Sequence, residues 1–148
     1  MWGDAGTNLT LLFWLAHVMA LIGWIALLLE PMLGPVSVRI ARLAGLLLAF
    51  VYLGLFLWSS QGAALLLHDY SLAGIGALFA NPLLLLLGWV HYLAFDLWVG
   101  SWEVNEAKRR RMPHWMVVPC LVLTFLLGPI GLIAFDLLCR LRGRVRSD

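Results

Sequence analysis

The chain has 148 residues, 63% hydrophobic and 12% charged, with a mean hydropathy of +0.94 and a formal net charge of +2. Soluble domains run at about 45–50% apolar and about 25% charged, and a soluble fold of this size cannot hide so much apolar surface. The composition therefore excludes a soluble domain and predicts an integral membrane protein. The apolar segments lack the alternating ten-residue pattern of barrel strands, so the expected fold class is all-α, a polytopic helix bundle forming one membrane domain over 1–148.

Four segments reach the roughly 20 apolar residues that a helix needs to cross a bilayer: about 9–29, 40–58, 82–102 and 114–138. The first has no basic leader and ends at Glu30-Pro31, not at a small-residue cleavage site, so it is expected to stay as an anchor, with no transit peptide ahead of it. Gly34-Pro35 breaks the chain before the second segment. Within that segment Gly45, Ala49 and Gly54 allow close helix approach, inside one copy or between copies of a homo-oligomer. The connection from Ser59 to Asn81 contains GAALLL and SLAGIGALFA, which predict a short re-entrant or interfacial helix. Asn81-Pro82 is a helix start, an N-cap followed by a first-turn proline. In the fourth segment Pro129 cannot donate a backbone hydrogen bond, which frees the carbonyl of Phe125 and predicts a kink at Gly128-Pro129, while Pro119 strains the first half. Cys120 and Cys139, 19 residues apart, would stand about 28 Å apart in an unbroken helix and could not pair.

Basic residues set the expected orientation. The first connection carries Arg39 and Arg42, the third Lys108, Arg109, Arg110 and Arg111, and the N-terminus and second connection carry none. The positive-inside rule then puts the N-terminus outside and those two connections in the cytoplasm. Four crossings would return the C-terminus outside, yet Arg140, Arg142, Arg144 and Arg146 lie there. A re-entrant hairpin in the second connection would reconcile the counts. The Lys108–Arg111 run is read as a topology signal in contact with anionic lipid, not as a nucleic-acid site. Trp2, Trp58, Trp102 and Trp115 fit an interfacial belt, whereas Trp14, Trp24, Trp89 and Trp98 lie deeper. Asp136 and Arg140, four apart, are expected to pair. His68 and His114 lie in or beside connections and carry no specific signal.

The third segment contains GWVHYLAFDLWVG, with His91 near its middle and Asp96 about 7.5 Å further on. A charged acid at the centre of a membrane helix costs about 2.5–3.5 kcal/mol, so such groups normally face the bundle interior and mark function. The two lie about 140° apart. His91, Phe95, Trp98 and Trp102 form one row; Trp89, Tyr92, Asp96, Val99 and Glu103 form the neighbouring one, where Tyr92 can hydrogen-bond Asp96. The first segment adds a deep His17. Structural hydrogen bonding, a ligand site lined by His17, Trp89, Tyr92, Phe95 and Trp98, a proton relay, and a bis-histidine haem clamp of His17 and His91 are all compatible with these positions, the haem least so. No CxxCH motif and no zinc-ligand spacing is present, and no cofactor or metal is expected.

FANPLLLLLGWVHYLAFDLWVG, the KRRR connection, and PHWMVVPCLVLTFLLGPIGLIAF together resemble the abscisic-acid-deficient, neoxanthin-synthase-like membrane family over about Phe79 to Phe135. The resemblance implies a small multi-helix protein acting on a carotenoid or other isoprenoid by acid–base isomerisation without a redox cofactor. Plant members are associated with opening a 5,6-epoxide to an allene, which needs an acid at the epoxide oxygen and a base at C7. Asp96 would then donate and His91 accept, or the reverse. The alternative within the same resemblance is a non-catalytic carotenoid- or lipid-binding scaffold. A bacterial member of an inner (cytoplasmic) or photosynthetic membrane is expected.

Overall fold

The structure, a computed structural model, describes the backbone of residues 3–58 and 71–145 and the side chains of 7–58 and 71–142. Trp2, His68, the GAALLL stretch, Arg146 and the side chain of Arg144 lie outside the described residues. Seven helices and no strand are present among the described residues: α1 (Gly3–Leu28), α2 (Glu30–Leu33), α3 (Pro35–Trp58), α4 (Leu72–Phe79), α5 (Pro82–Arg109), α6 (His114–Leu127) and α7 (Pro129–Val145). α1 from Thr7, α3 and α5 are each long and apolar enough to cross a membrane.

Local chemistry sets the ends. Asn81 caps α5, its side chain accepting from the Leu83 amide at 2.9 Å, with Pro82 in the first turn. α4 is an eight-residue helix capped by Ser71 (3.1 Å to the Gly74 amide), too short to span, and it rests Phe79 against Gly88 of α5. Gly34, at φ +57°, closes the turn between α2 and α3.

α5 is the central element. Val90, Leu93, Leu97, Val104 and Ala107 repeat at helical spacing and are buried against α1, α3 and α6. Small residues let the long helices approach closely, since apolar side chains gain little by leaving lipid and packing must hold the bundle. A Cβ on Gly100 would stand 2.7 Å from the Trp24 ring, and one on Gly45 3.5 Å from the carbonyl of Ala94.

The fourth segment is not one spanning helix. α6 has 14 residues, about 21 Å of rise. Its Thr124 is hydrogen-bonded to Glu103, and one turn later Gly128 lies against Asp96, so α6 runs back along α5 from its basic end to its middle. There Gly128 adopts φ +45°, open only to glycine at little cost, and Pro129 starts α7. α7 then climbs back: the Phe135 ring stands 5.5 Å from that of Trp102, and Asp136 and Cys139 come within electrostatic range of Arg110. The kink expected at Gly128-Pro129 is a full reversal, and the segment is a helical hairpin with its tip at the middle of α5. This also brings Cys139 within electrostatic range of Cys120, so the 28 Å separation of an unbroken helix does not hold; both are free and buried.

Three helices of membrane-spanning length followed by a reversal bring Asp136 and Cys139 of α7 back beside Arg110, the end at which the positive-inside rule would gather the tail's arginines. Among the described residues the reversal lies in the fourth segment; residues 59–70 of the second connection, where a re-entrant hairpin is expected from the sequence, lie outside them.

Candidate functional site

Asp96 sits at the midpoint of the 28-residue α5, facing the hairpin tip. Its two carboxyl oxygens would stand 3.2 and 3.4 Å from a Cβ on Gly128, and Oδ2 is buried with no hydrogen-bond partner. Tyr92, one turn earlier, lies beside Asp96 and places its hydroxyl 3.4 Å from the carbonyl of Phe125. That carbonyl is the one freed by Pro129. A phenol has one proton to give, and Tyr92 gives it to the carbonyl.

Two turns towards the basic end of α5, Glu103 is fully buried. Thr124 Oγ1 donates to its Oε1 at 2.9 Å, and Oε2 has no partner. Gly131 of α7 packs directly against Thr124. The sequence shows Glu103 on the Asp96 row but gives it no role. The signal that marks it is the seven-residue spacing, which returns it to within about 20° of Asp96.

His91 points elsewhere. It is exposed on the side of α5 that meets α3, stacked on Phe95 at 4.5 Å and 5.9 Å from the Tyr52 ring. Tyr52 stacks in turn near Phe56 at 6.3 Å, and Arg42 lies 5.4 Å over Trp98. The result is an aromatic seam along α3 and α5, with a groove of about 230 Å³ between Gly45, Ala49, Ala94, Phe95 and Trp98. His91 and Asp96 therefore do not meet.

His17 pairs with Trp89 instead. Its Nε2 accepts from Trp89 Nε1 at 3.0 Å, and its Nδ1 lies 2.8 Å from the Phe13 carbonyl, which makes Nδ1 the protonated nitrogen. Both ring nitrogens are engaged. Trp89 and His91 project about 160° apart from α5, so His17 and His91 do not face each other and no bis-histidine clamp forms between them. Beside this pair a groove of about 570 Å³ opens between α1 and α5, walled by Phe13, Trp14, Leu85 and Trp89. The four deep tryptophans thus have distinct settings: Trp14 and Trp89 line this groove, Trp98 the seam, and Trp24 fills the space between Gly100 and Phe125.

At the basic end Lys108 pairs with Glu30 at 2.7 Å, Arg110 and Arg109 with Glu106 at 2.7 and 3.3 Å, and Arg140 with Asp136 at 2.7 Å, as its spacing predicts. His114 lies 3.4 Å from Glu30 and 3.2 Å from the Leu28 carbonyl. Exposed pairs of this kind are worth about 0–1 kcal/mol each. Their use here is to hold the α1–α3 connection and the hairpin entrance together. Arg111 occupies the α5–α6 turn at φ +53° and is exposed.

Three membrane-length helices, a helical hairpin and two carboxyls in the seam between them define a small polytopic membrane protein with a buried polar centre. The family model described as ABA DEFICIENT 4-like matches residues 11–135, and the chain belongs to that family. The match takes in α1 to α3 as well as the second half, and relates the protein to neoxanthin synthase. No curated protein and no solved structure matches significantly.

Proposed function

We propose that the protein modifies a carotenoid or related isoprenoid inside the membrane by acid–base isomerisation, with Asp96 as the proton-transferring group. The observation that carries this reading is the free, buried Oδ2 of Asp96 at the hairpin tip, next to the Tyr92 hydroxyl. For a 5,6-epoxide the step balances within one carboxyl. Asp96 gives its proton to the epoxide oxygen as the C6–O bond breaks, and the oxygen stays on C5 as a hydroxyl. The carboxylate left behind takes the proton from C7 as the C6–C7 double bond forms. The product is an isomer, the carboxyl ends as it began, and no electrons are exchanged. Tyr92, one turn away on the same row, is placed to orient the carboxyl. His91, on the other side of α5, serves the aromatic seam as a ligand contact.

The test is turnover of a 5,6-epoxy-carotenoid by the purified chain in liposomes, followed by chromatography of the extracted pigments. Asp96→Asn is expected to lower the rate by 10²-fold or more, the usual scale for general acid–base groups. An unchanged rate in Asp96→Asn refutes the assignment. The aromatic seam and the groove beside Trp89 favour a second reading, a scaffold that binds pigment without changing it. That reading is supported if wild-type protein retains carotenoid through purification and never converts it.

A further inference from the structure

Among the described residues, only two buried side-chain oxygens lack a hydrogen-bond partner: Asp96 Oδ2 and Glu103 Oε2. Both belong to α5 and both face the hairpin. We propose that Glu103 and Asp96 form a proton path from the basic end of the bundle to the middle of the membrane. The path does not depend on which ligand the protein takes.

Geometry supports it first. Seven residues at 100° bring Glu103 to within about 20° of Asp96, and Glu106 follows about 60° further round. The three acids thus share one sector of α5, separated by rises of about 10.5 and 4.5 Å. Glu106 is the outer member, in the surface pairs with Arg109 and Arg110. Glu103 is the inner one, with no exposed surface. Helical side chains tilt towards the N-terminus of their helix, so the longer Glu103 side chain leans back along α5 towards Asp96. The two carboxyls are near enough to interact electrostatically, and bound water is the link the proposal requires between them.

Electrostatics points the same way. The groups facing the two carboxyls are Tyr92 on α5, Thr124 and Cys120 on α6, and Cys139 on α7, which also lies near Arg110 and Glu106. No Lys, Arg or His among the described residues pairs with either carboxyl. A bare carboxylate in such a place costs far more than a carboxylic acid, so a proton is the natural occupant of each free oxygen. Thr124 holds Oε1 and leaves Oε2 to exchange. When Asp96 gives up its proton, Glu103 passes its own from Oε2 to Asp96 Oδ2 and is recharged from water at the basic end, beside Glu106.

The experiment is infrared spectroscopy of the full chain in lipid during exchange from H₂O to D₂O, with no substrate added. The carboxylic C=O band of Asp96 is identified by its loss in Asp96→Asn. Its downshift in D₂O is expected to slow at least tenfold in Glu103→Gln, whose amide oxygen still accepts from Thr124. Glu103→Asp, which lengthens the gap by one methylene, is expected to slow it less and serves if the glutamine variant does not fold. Far-UV circular dichroism checks that each variant is helical. Absence of a protonated Asp96 band overturns the proposal, as does an exchange rate unchanged by both Glu103 variants. Turnover of an epoxide is not read in this assay, so the isomerase reading can fail while the proton path holds, and the reverse.

Discussion

Gly128→Ala tests the hairpin tip. At φ +45° and ψ −93° a residue with a side chain is strained, and strain of this kind costs about 1–3 kcal/mol. The new methyl also meets Asp96, at 3.2 Å from Oδ1 and 3.4 Å from Oδ2, so the carboxyl must give by a few tenths of an ångström. Together the two effects are expected to cost about 2–3 kcal/mol, a shift of roughly 30- to 150-fold in the folding equilibrium at 1.4 kcal/mol per tenfold. Gly54→Ala in α3 is the control, because a Cβ there meets nothing within 4 Å and alanine favours a helix by up to about 1 kcal/mol. Reversible SDS unfolding in mixed micelles, followed by circular dichroism, measures both. Repeating Gly128→Ala in an Asp96→Ala background separates contact from backbone strain, since only the strain persists. Wild-type stability in Gly128→Ala would refute the reversal at this residue.

Thr124→Val removes the one donor to Glu103 and leaves both its oxygens unmet, an expected loss of about 1–3 kcal/mol in the same unfolding assay, reduced when Glu103 is replaced by leucine. Arg111→Gly relieves a left-handed residue in the α5–α6 turn and is expected to gain up to about 1 kcal/mol, whereas Arg111→Val loses about that much. Reporter fusions are expected to place the C-terminus on the same side as Lys108–Arg111 and the N-terminus on the other; a C-terminus on the N-terminal side would mean that the fourth segment crosses.

What the sequence revealed depended on the range of the interaction. Apolar length located the three long helices, because insertion into lipid depends on each segment by itself. Asn81-Pro82, Gly34-Pro35 and the Asp136–Arg140 pair were legible for the same reason, each being settled within four residues. Pro129 announced a freed carbonyl at Phe125, but its partner, Tyr92, is 33 residues away and comes from another helix. Hydropathy could not tell a kink from a reversal, since α6 and α7 together are as apolar and long as one crossing. The row of α5 carrying Tyr92, Asp96 and Glu103 was visible, yet which row would face protein depended on where the hairpin docks. That docking turned His91 outward to the seam with α3 and turned Glu103 into the core.

The hairpin tip and the polar row of α5 explain each other only in part. Non-helical backbone at membrane depth is tolerated where protein covers it and supplies partners for its polar groups. Tyr92 does this for the Phe125 carbonyl, and that use is structural. Asp96 does not fit the same explanation. The freed carbonyl already has its donor in Tyr92, and Asp96 Oδ2 meets no partner at the tip. Were Asp96 present only to quiet the tip, asparagine, which always carries donors, would serve better. Asp96→Asn is therefore expected to keep the fold, with stability within about 1 kcal/mol of wild type in SDS unfolding, because the change is isosteric and Oδ2 has no partner to lose. A loss of several kcal/mol would assign Asp96 to the architecture. Retained stability with lost proton exchange or turnover would assign it to the chemistry.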